Sequence, residues 1–205
     1  MFIHEVGSRQ VQLLDAACRL IARSGVRRLR MEDLAREAGV SVGLPYRYFA
    51  GRAELLVGVL SYVASGDARY RRKEALEPDD CGQDSPETAL TLALTDEIAD
   101  EPDAIRLARV WSELYAESLF DDGLRRRLHD VNLAWIDEIT GLLADCVRRP
   151  AETLRPAGMR LIAAVEGFHS WWVLGMIDAD QARESILAAI EDTIARSRET
   201  GPGIR

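Results

Sequence analysis

The sequence predicts an all-α fold of about nine helices, on three observations. No window of six or more residues alternates apolar and polar positions in the two-residue rhythm of a strand. Apolar residues instead recur at three- and four-residue steps along most of the 205-residue chain. Residues that end or open helices punctuate those stretches at Gly25, Gly39, Gly51, Pro86 and Pro102.

The elements follow in order. Residues 9–24 put Leu13, Leu14, Ala17, Cys18, Leu20 and Ile21 on one side, with Gly25 as the C-cap. Residues 31–38 form a second short helix with Leu34, Ala35 and Ala38 facing in, ended by Gly39. Ser41 has the chemistry to cap a third helix through Phe49. Arg52-Ala53-Glu54 opens a fourth, with the stripe Leu55, Leu56, Val59, Leu60 and Val63. Residues 77–86 read as a polar loop, after which Asp84 or Ser85 caps a helix starting near Pro86. Pro102 starts the next, to about Leu119; Asp121-Asp122-Gly123 breaks the pattern and residues 124–148 resume it. Pro150 and Pro156 bracket the approach to an apolar helix over 157–177, and a last amphipathic helix covers 179–198.

Charge divides the chain. Residues 1–56 hold nine Arg against six acidic residues, whereas the remainder holds 17 basic against 28 acidic, so the overall −8 conceals a basic head on an acidic body. The acidic total excludes a polyanion binder that uses its whole surface; it leaves room for a small basic one. The N-terminal MFIHEVGSRQ has no cationic stretch followed by an apolar run, so no signal peptide is expected. No run approaches the length of a membrane span, and no membrane partner is expected. Cys18, Cys81 and Cys146 are odd in number, far apart and form no CxxC pair, which suits unpaired thiols in a reducing cytoplasm. His4, His129 and His169 lie at no metal-ligand spacing, and no phosphate-binding, nucleophile-elbow or HExxH string occurs; no metal, cofactor or catalytic set is expected.

The informative segment runs from Leu34 to Phe49. A short helix ends at Gly39, a three-residue turn follows, and a second short helix begins: the grammar of a helix-turn-helix. Val40 buries the turn, and the outer side of the second helix offers Ser41, Val42, Tyr46, Arg47 and Tyr48 to phosphates and base edges in a major groove. On spacing alone, an αα-corner inside a helical protein reads equally well.

The composite pattern goes further. Leu34-Ala35…Ala38-Gly39-Val40-Ser41, Gly43…Tyr46…Tyr48-Phe49 and Arg52…Leu55 resemble the DNA-binding domain of the TetR/AcrR family of bacterial regulators, over about 50 residues without an insertion. The resemblance implies an N-terminal helix-turn-helix domain over 1–51 and a larger helical domain for effector binding and dimerisation over 52–205. It implies that Tyr46 and Tyr48 contact phosphates, that Arg47 reads a base, that Val42 and Gly43 approach base edges, and that Arg52 clamps a phosphate. Arg28 and Arg30, in the run Arg27-Arg28-Leu29-Arg30, stand where the family approaches the DNA backbone; a solvated charge run is the plainer alternative.

Two departures from the family pattern matter. Arg30 stands where Ser or Thr usually caps the second helix, at a cost of ~1 kcal/mol. Leu44 and Pro45 replace a small hydroxyl residue and a bulky aliphatic one. Pro45 cannot donate a backbone bond to Ser41 and biases Leu44 away from α, so a tightened or kinked first turn is expected and a DNA contact at Leu44 cannot simply be copied.

One short reading helix needs a partner copy for useful specificity, hence a homodimer. Ala163, Gly167, Ser170, Trp171 and Leu174, with Ile186, Ala189, Ile190 and Thr193, are the expected interface, since both last helices carry apolar residues on more than one face. The alternative is burial inside one subunit. Trp111, Tyr115, Trp135, Glu166, Phe168, His169 and Trp172, with Glu117 nearby, are candidates to line an effector pocket, although core packing is the default for such rings. The segment from Trp111 to Leu124, with Glu166-Gly167-Phe168, resembles the BetI-type C-terminal subgroup. Its namesake senses a quaternary ammonium compound, which an aromatic cage holds by cation–π attraction; effectors differ widely within the subgroup, so the ligand is not carried over. The reading is therefore a cytoplasmic regulator, a repressor by expectation, with double-stranded operator DNA and a small-molecule effector of unknown identity as partners. The rivals are a ligand-independent helical partner-binding module and a helical enzyme using Glu166 and His169 as an acid–base pair.

Overall fold

The structure is a computed structural model that describes residues 8–65 and 85–199. Its helices are α1 (Ser8–Ser24), α2 (Met31–Glu37), α3 (Pro45–Tyr48), α4 (Arg52–Ala64), α5 (Pro86–Thr95), α6 (Pro102–Glu117), α7 (Asp122–Val147), α8 (Ala151–Val173) and α9 (Ala179–Glu199), with one 3-10 turn at Val26–Arg28. No strand occurs among the described residues. The chain divides into two compact units: one takes 1–78 and 106–131, the other 79–105 and 132–205. His4, Cys81 and most of the expected loop at 77–86 lie outside the described residues.

In the first unit α1 buries Leu13, Leu14, Ala17, Cys18 and Ile21 against Val26, Leu29, Leu34, Phe49, Leu55, Leu56 and Val59. The same core takes in Val110 and Leu114 of α6 and Leu124 and Leu128 of α7. Burial pushes the Cys18 thiol up to about 12, with the charge of Asp15 adding to it, so this sulfur stays protonated and unreactive. Gly25 stops α1 with φ +80°, donating to the Ile21 carbonyl at 2.8 Å. Gly39 stops α2 with φ +66°: its N–H reaches the Arg36 carbonyl (3.2 Å) and that of Val40 reaches Ala35 (2.9 Å), the paired bonds of a Schellman turn. Half-buried Val40 then packs on the core, as its apolar character predicts. Gly58 has a different role. A Cβ there would come within 3.0 Å of the Phe49 ring, so the glycine lets the residue after α3 lie flat on α4.

The third helix differs from expectation in its start. It spans Pro45–Tyr48, and Ser41 makes no side-chain cap; instead the Leu44 N–H bonds the Ser41 carbonyl at 2.9 Å in a tight turn. Pro45 thereby occupies the first helical position, where a missing N–H costs nothing. Leu44 itself is in the α region (φ −67°, ψ −43°), so the bias exerted by the following proline is overridden by that turn. Arg30 precedes α2 in an extended conformation with no side-chain cap bond.

In the second unit Ser85 caps α5, its Oγ accepting from the Thr88 N–H at 3.1 Å. Leu90, Leu94, Ile98, Ile139, Leu143, Leu154, Leu161, Val165, Ile186 and Ile190 are buried. Helix α8 starts six residues earlier than the sequence suggested and carries exposed Pro156 inside it, a residue with no N–H to offer the carbonyl one turn back. The close approach of α7 and α8 rests on Gly158: a Cβ there would lie 2.5 Å from Thr140 Oγ1. Arg149 donates to the Ser197 carbonyl (2.7 Å) and Arg198 to the Cys146 carbonyl (3.2 Å), fastening the end of α9.

Candidate nucleic-acid interface

The recognition segment is an exposed surface held from below by a few buried groups. Phe49 and Pro45 are buried, Leu44 is half-buried, and Ser41, Val42, Gly43, Tyr46, Arg47 and Tyr48 face outward. Val42 is 54% and Tyr46 50% exposed, unusual for residues with so much apolar surface in a well-packed unit. The two phenols and one guanidinium on this short helix are the groups that bond phosphate oxygens and base edges.

The arginines of this unit sort into two sets. Arg19 and Arg23 of α1 both bind Glu37 at 2.9 Å, pinning the end of α2 to α1, and Arg36 pairs with Asp33 at 2.6 Å. Those two guanidinium bonds hold the Glu37 carboxyl below its ordinary range. Arg27, Arg28, Arg30 and Arg47, all exposed, make no ion pair with the described residues. Leu29, buried between them, anchors the run that carries the first three. The uncompensated positive charge therefore sits on the loop before α2 and on α3, while the charge on α1 is spent on structure.

Arg52 belongs to the paired set. The resemblance assigns it a phosphate, yet its Nη2 lies 3.1 Å from Glu117 Oε1 and 3.0 Å from the Val26 carbonyl. Glu113, one turn earlier on α6, accepts the Val26 N–H at 2.8 Å. Sequence reasoning missed both roles: Glu113 was unnoticed and Glu117 was grouped with a pocket. These partners stand 65 and 87 residues away along the chain, with no local pattern to announce them.

The expected pocket residues come from both units. Trp111 packs on the core of the first unit and Tyr115, in the same unit, is 44% exposed. Trp135, Glu166, Phe168, His169 and Trp172 belong to the second. There His169 and Trp172 are buried edge to face at 5.6 Å, and burial lowers the imidazole pKa, partly countered by Glu97. Phe168 turns to the other side and meets Trp171 edge to face at 6.0 Å.

The expected interface residues also divide. Ala163, Gly167, Ser170 and Trp171 of α8, with Leu174 just past its end, lie on one exposed strip continued by Met159. On α9, Ile186 and Ile190 are buried inside the chain itself, Ala189 and Thr193 are half-buried, and Leu187, Ala188 and Ala195 are apolar residues that face out. Among the described residues no helix is long and apolar enough to cross a membrane, and no group of three or more His, Cys, Asp or Glu is placed to hold a metal.

Two family models match this chain: bacterial regulatory proteins of the tetR family over residues 13–59, and the C-terminal region of BetI-type transcriptional repressors over 86–196. The chain belongs to the TetR family of transcriptional regulators. This regulator is 27% identical to the HTH-type transcriptional regulator BetI 1 of Chromohalobacter salexigens, over 95% of its own length and 94% of the relative's. A solved chain assigned to the TetR-family regulators of Rhodococcus sp. is 31% identical, superposes with a TM-score of 0.78, and covers 92% of this chain and 100% of its own. A transcriptional regulator of Saccharomonospora viridis solved in complex with choline shares the fold alone, at 21% identity and a TM-score of 0.70, covering 90% and 95% of the two chains. Membership in a family of transcriptional regulators removes the enzyme reading built on Glu166 and His169.

Proposed function

We propose that this regulator works in the cytoplasm as a homodimeric repressor that binds a palindromic operator and is released or modulated by a small-molecule effector. The observation that carries the reading is that exposed Arg27, Arg28, Arg30 and Arg47, which make no ion pair with the described residues, belong to the same unit as exposed Tyr46 and Tyr48. A polyanion is the partner that such a surface suits, because each neutralised phosphate releases a counterion. Residues 1–51 supply the reading surface, with Ser41, Val42, Gly43 and Arg47 toward base edges; residues 52–205 supply sensing and pairing.

Pairing is supported by the uncharged exposed strip on α8, which has the small and apolar residues that let two helices close on one another. The effector reading rests on the BetI-type match and on the aromatic residues of the body. Glu166 and Phe168 are the half-buried candidates to touch a ligand, and the choline complex of the Saccharomonospora viridis regulator suggests trying quaternary ammonium compounds first. Selection from a random duplex pool by the purified full chain tests the whole. An enriched inverted repeat with half-sites about one helical turn apart, or a multiple of that, is expected. Failure to enrich any sequence, together with salt-independent retention, overturns the reading.

A further inference from the structure

We infer that Glu117 is an internal rival of DNA for Arg52, so that the regulator carries on α6 a carboxylate that holds its DNA affinity down. The inference rests on the DNA-binding reading above. The other paired arginines of the reading head are fastened within it: Arg19 and Arg23 of α1 hold Glu37 of α2, and Arg36 holds Asp33 on its own helix. Arg52 alone among them is claimed by a helix from much further along the chain. It is the first residue of α4, three positions beyond Phe49, and thus stands next to the reading surface.

The geometry forms a closed set. Glu113 accepts the Val26 N–H, the Val26 carbonyl accepts from Arg52, and Arg52 pairs with Glu117, one turn along α6 from Glu113. Glu117 is the carboxylate that meets the Arg52 guanidinium, while Glu113 is engaged by the Val26 N–H. The Arg52 side chain is 37% exposed, enough for its long stem to swing the guanidinium outward without disturbing the core. Nη2 has two hydrogens and two acceptors already, Glu117 and the Val26 carbonyl, so a phosphate that engages Nη2 competes directly with Glu117. Binding there costs the pair, and whatever displaces the last turn of α6 alters that cost.

The test is a double-mutant cycle read by fluorescence anisotropy with a labelled random-sequence duplex of about 30 base pairs, at several salt concentrations, because phosphate contacts need no operator. E117Q is expected to tighten binding roughly threefold, the scale of a partly exposed ion pair. R52A is expected to weaken the wild type only slightly but the E117Q protein by about tenfold, with a steeper salt slope in E117Q than in the wild type. E32Q, which removes an exposed charge on α2, controls for net charge: it must leave the cost of R52A unchanged. E117D, which keeps the charge and shortens its reach, gives the same trend more weakly should E117Q fold poorly. An equal cost of R52A in both backgrounds, or none in either, overturns the inference while the DNA-binding reading stands. Absence of any salt-dependent binding by the wild type sinks that reading instead.

Discussion

Two exposed faces, α3 with its preceding turn and the outer strip of α8, leave apolar area in water, yet they differ in what accompanies it. Tyr46 and Tyr48 bring hydroxyls and flank Arg47, and the same unit carries Arg27, Arg28 and Arg30, which make no ion pair with the described residues. Met159, Ala163, Gly167, Trp171 and Leu174 bring almost no hydrogen-bonding capacity, with Arg155 and Arg160 as neighbouring cations on the helix. The polar atoms of the first face suit a wet, charged partner, and their near absence from the second suits a dry one. Exposure alone does not distinguish them; the polar atoms carried along with the exposed carbon do.

The comparison breaks most sharply at α8. Replacing Trp171 and Leu174 together by Glu is expected to shift sedimentation from dimer to monomer and to cost affinity for a two-half-site duplex on the order of a hundredfold, since the second head then binds independently. Retention of the dimer would show that this strip is ordinary surface. At α3, Arg47→Ala should lose about 1–3 kcal/mol of discrimination at one base pair, read by competition among single-base variants of the selected duplex. Tyr46→Phe should weaken every sequence alike, by about 1 kcal/mol. Equal losses across all sequences in both variants would refute that division of labour.

A smaller effect sorts the arginines. Arg30→Ala should lower the slope of log affinity against log salt by about one unit. Arg23→Ala should leave it unchanged, because that cation is already neutralised by Glu37. The smallest effect belongs to Glu37 itself. Its carboxyl lies below the ordinary range in the folded state, so the stability it supplies is complete above that range and is lost as pH falls through the folded-state value. Glu37→Gln should flatten the acid limb of thermal stability by less than ~1 kcal/mol, given the exposure of both arginine partners.

Helix ends were legible in the sequence wherever their cause was local. Gly25 and Gly39 adopt positive φ because the chain must reverse there, and Ser85 caps α5 through an atom three residues from its donor. The tightened entry to α3 was likewise implied by Pro45, although the route taken, a Ser41–Leu44 turn with Leu44 helical, was not. Facing was harder. Apolar residues on two sides of α9 do not declare which side is inward, and burial claims Ile186 and Ile190 while leaving Leu187 and Ala188 outside. The Arg52–Glu117 pair was out of reach, because nothing within a helical turn of either residue hints at a partner so distant in sequence.

The shortness of α3 has a consequence of its own. Its support comes from Pro45, Phe49 and the turn before it, and a side chain added at Gly43 would meet nothing within 4 Å. On the reading proposed above, the residues that would discriminate among target sequences are thus nearly decoupled from those that make the head fold. A duplicated copy of this gene could acquire a new target one substitution at a time, with little loss of solubility or thermal resistance along the way.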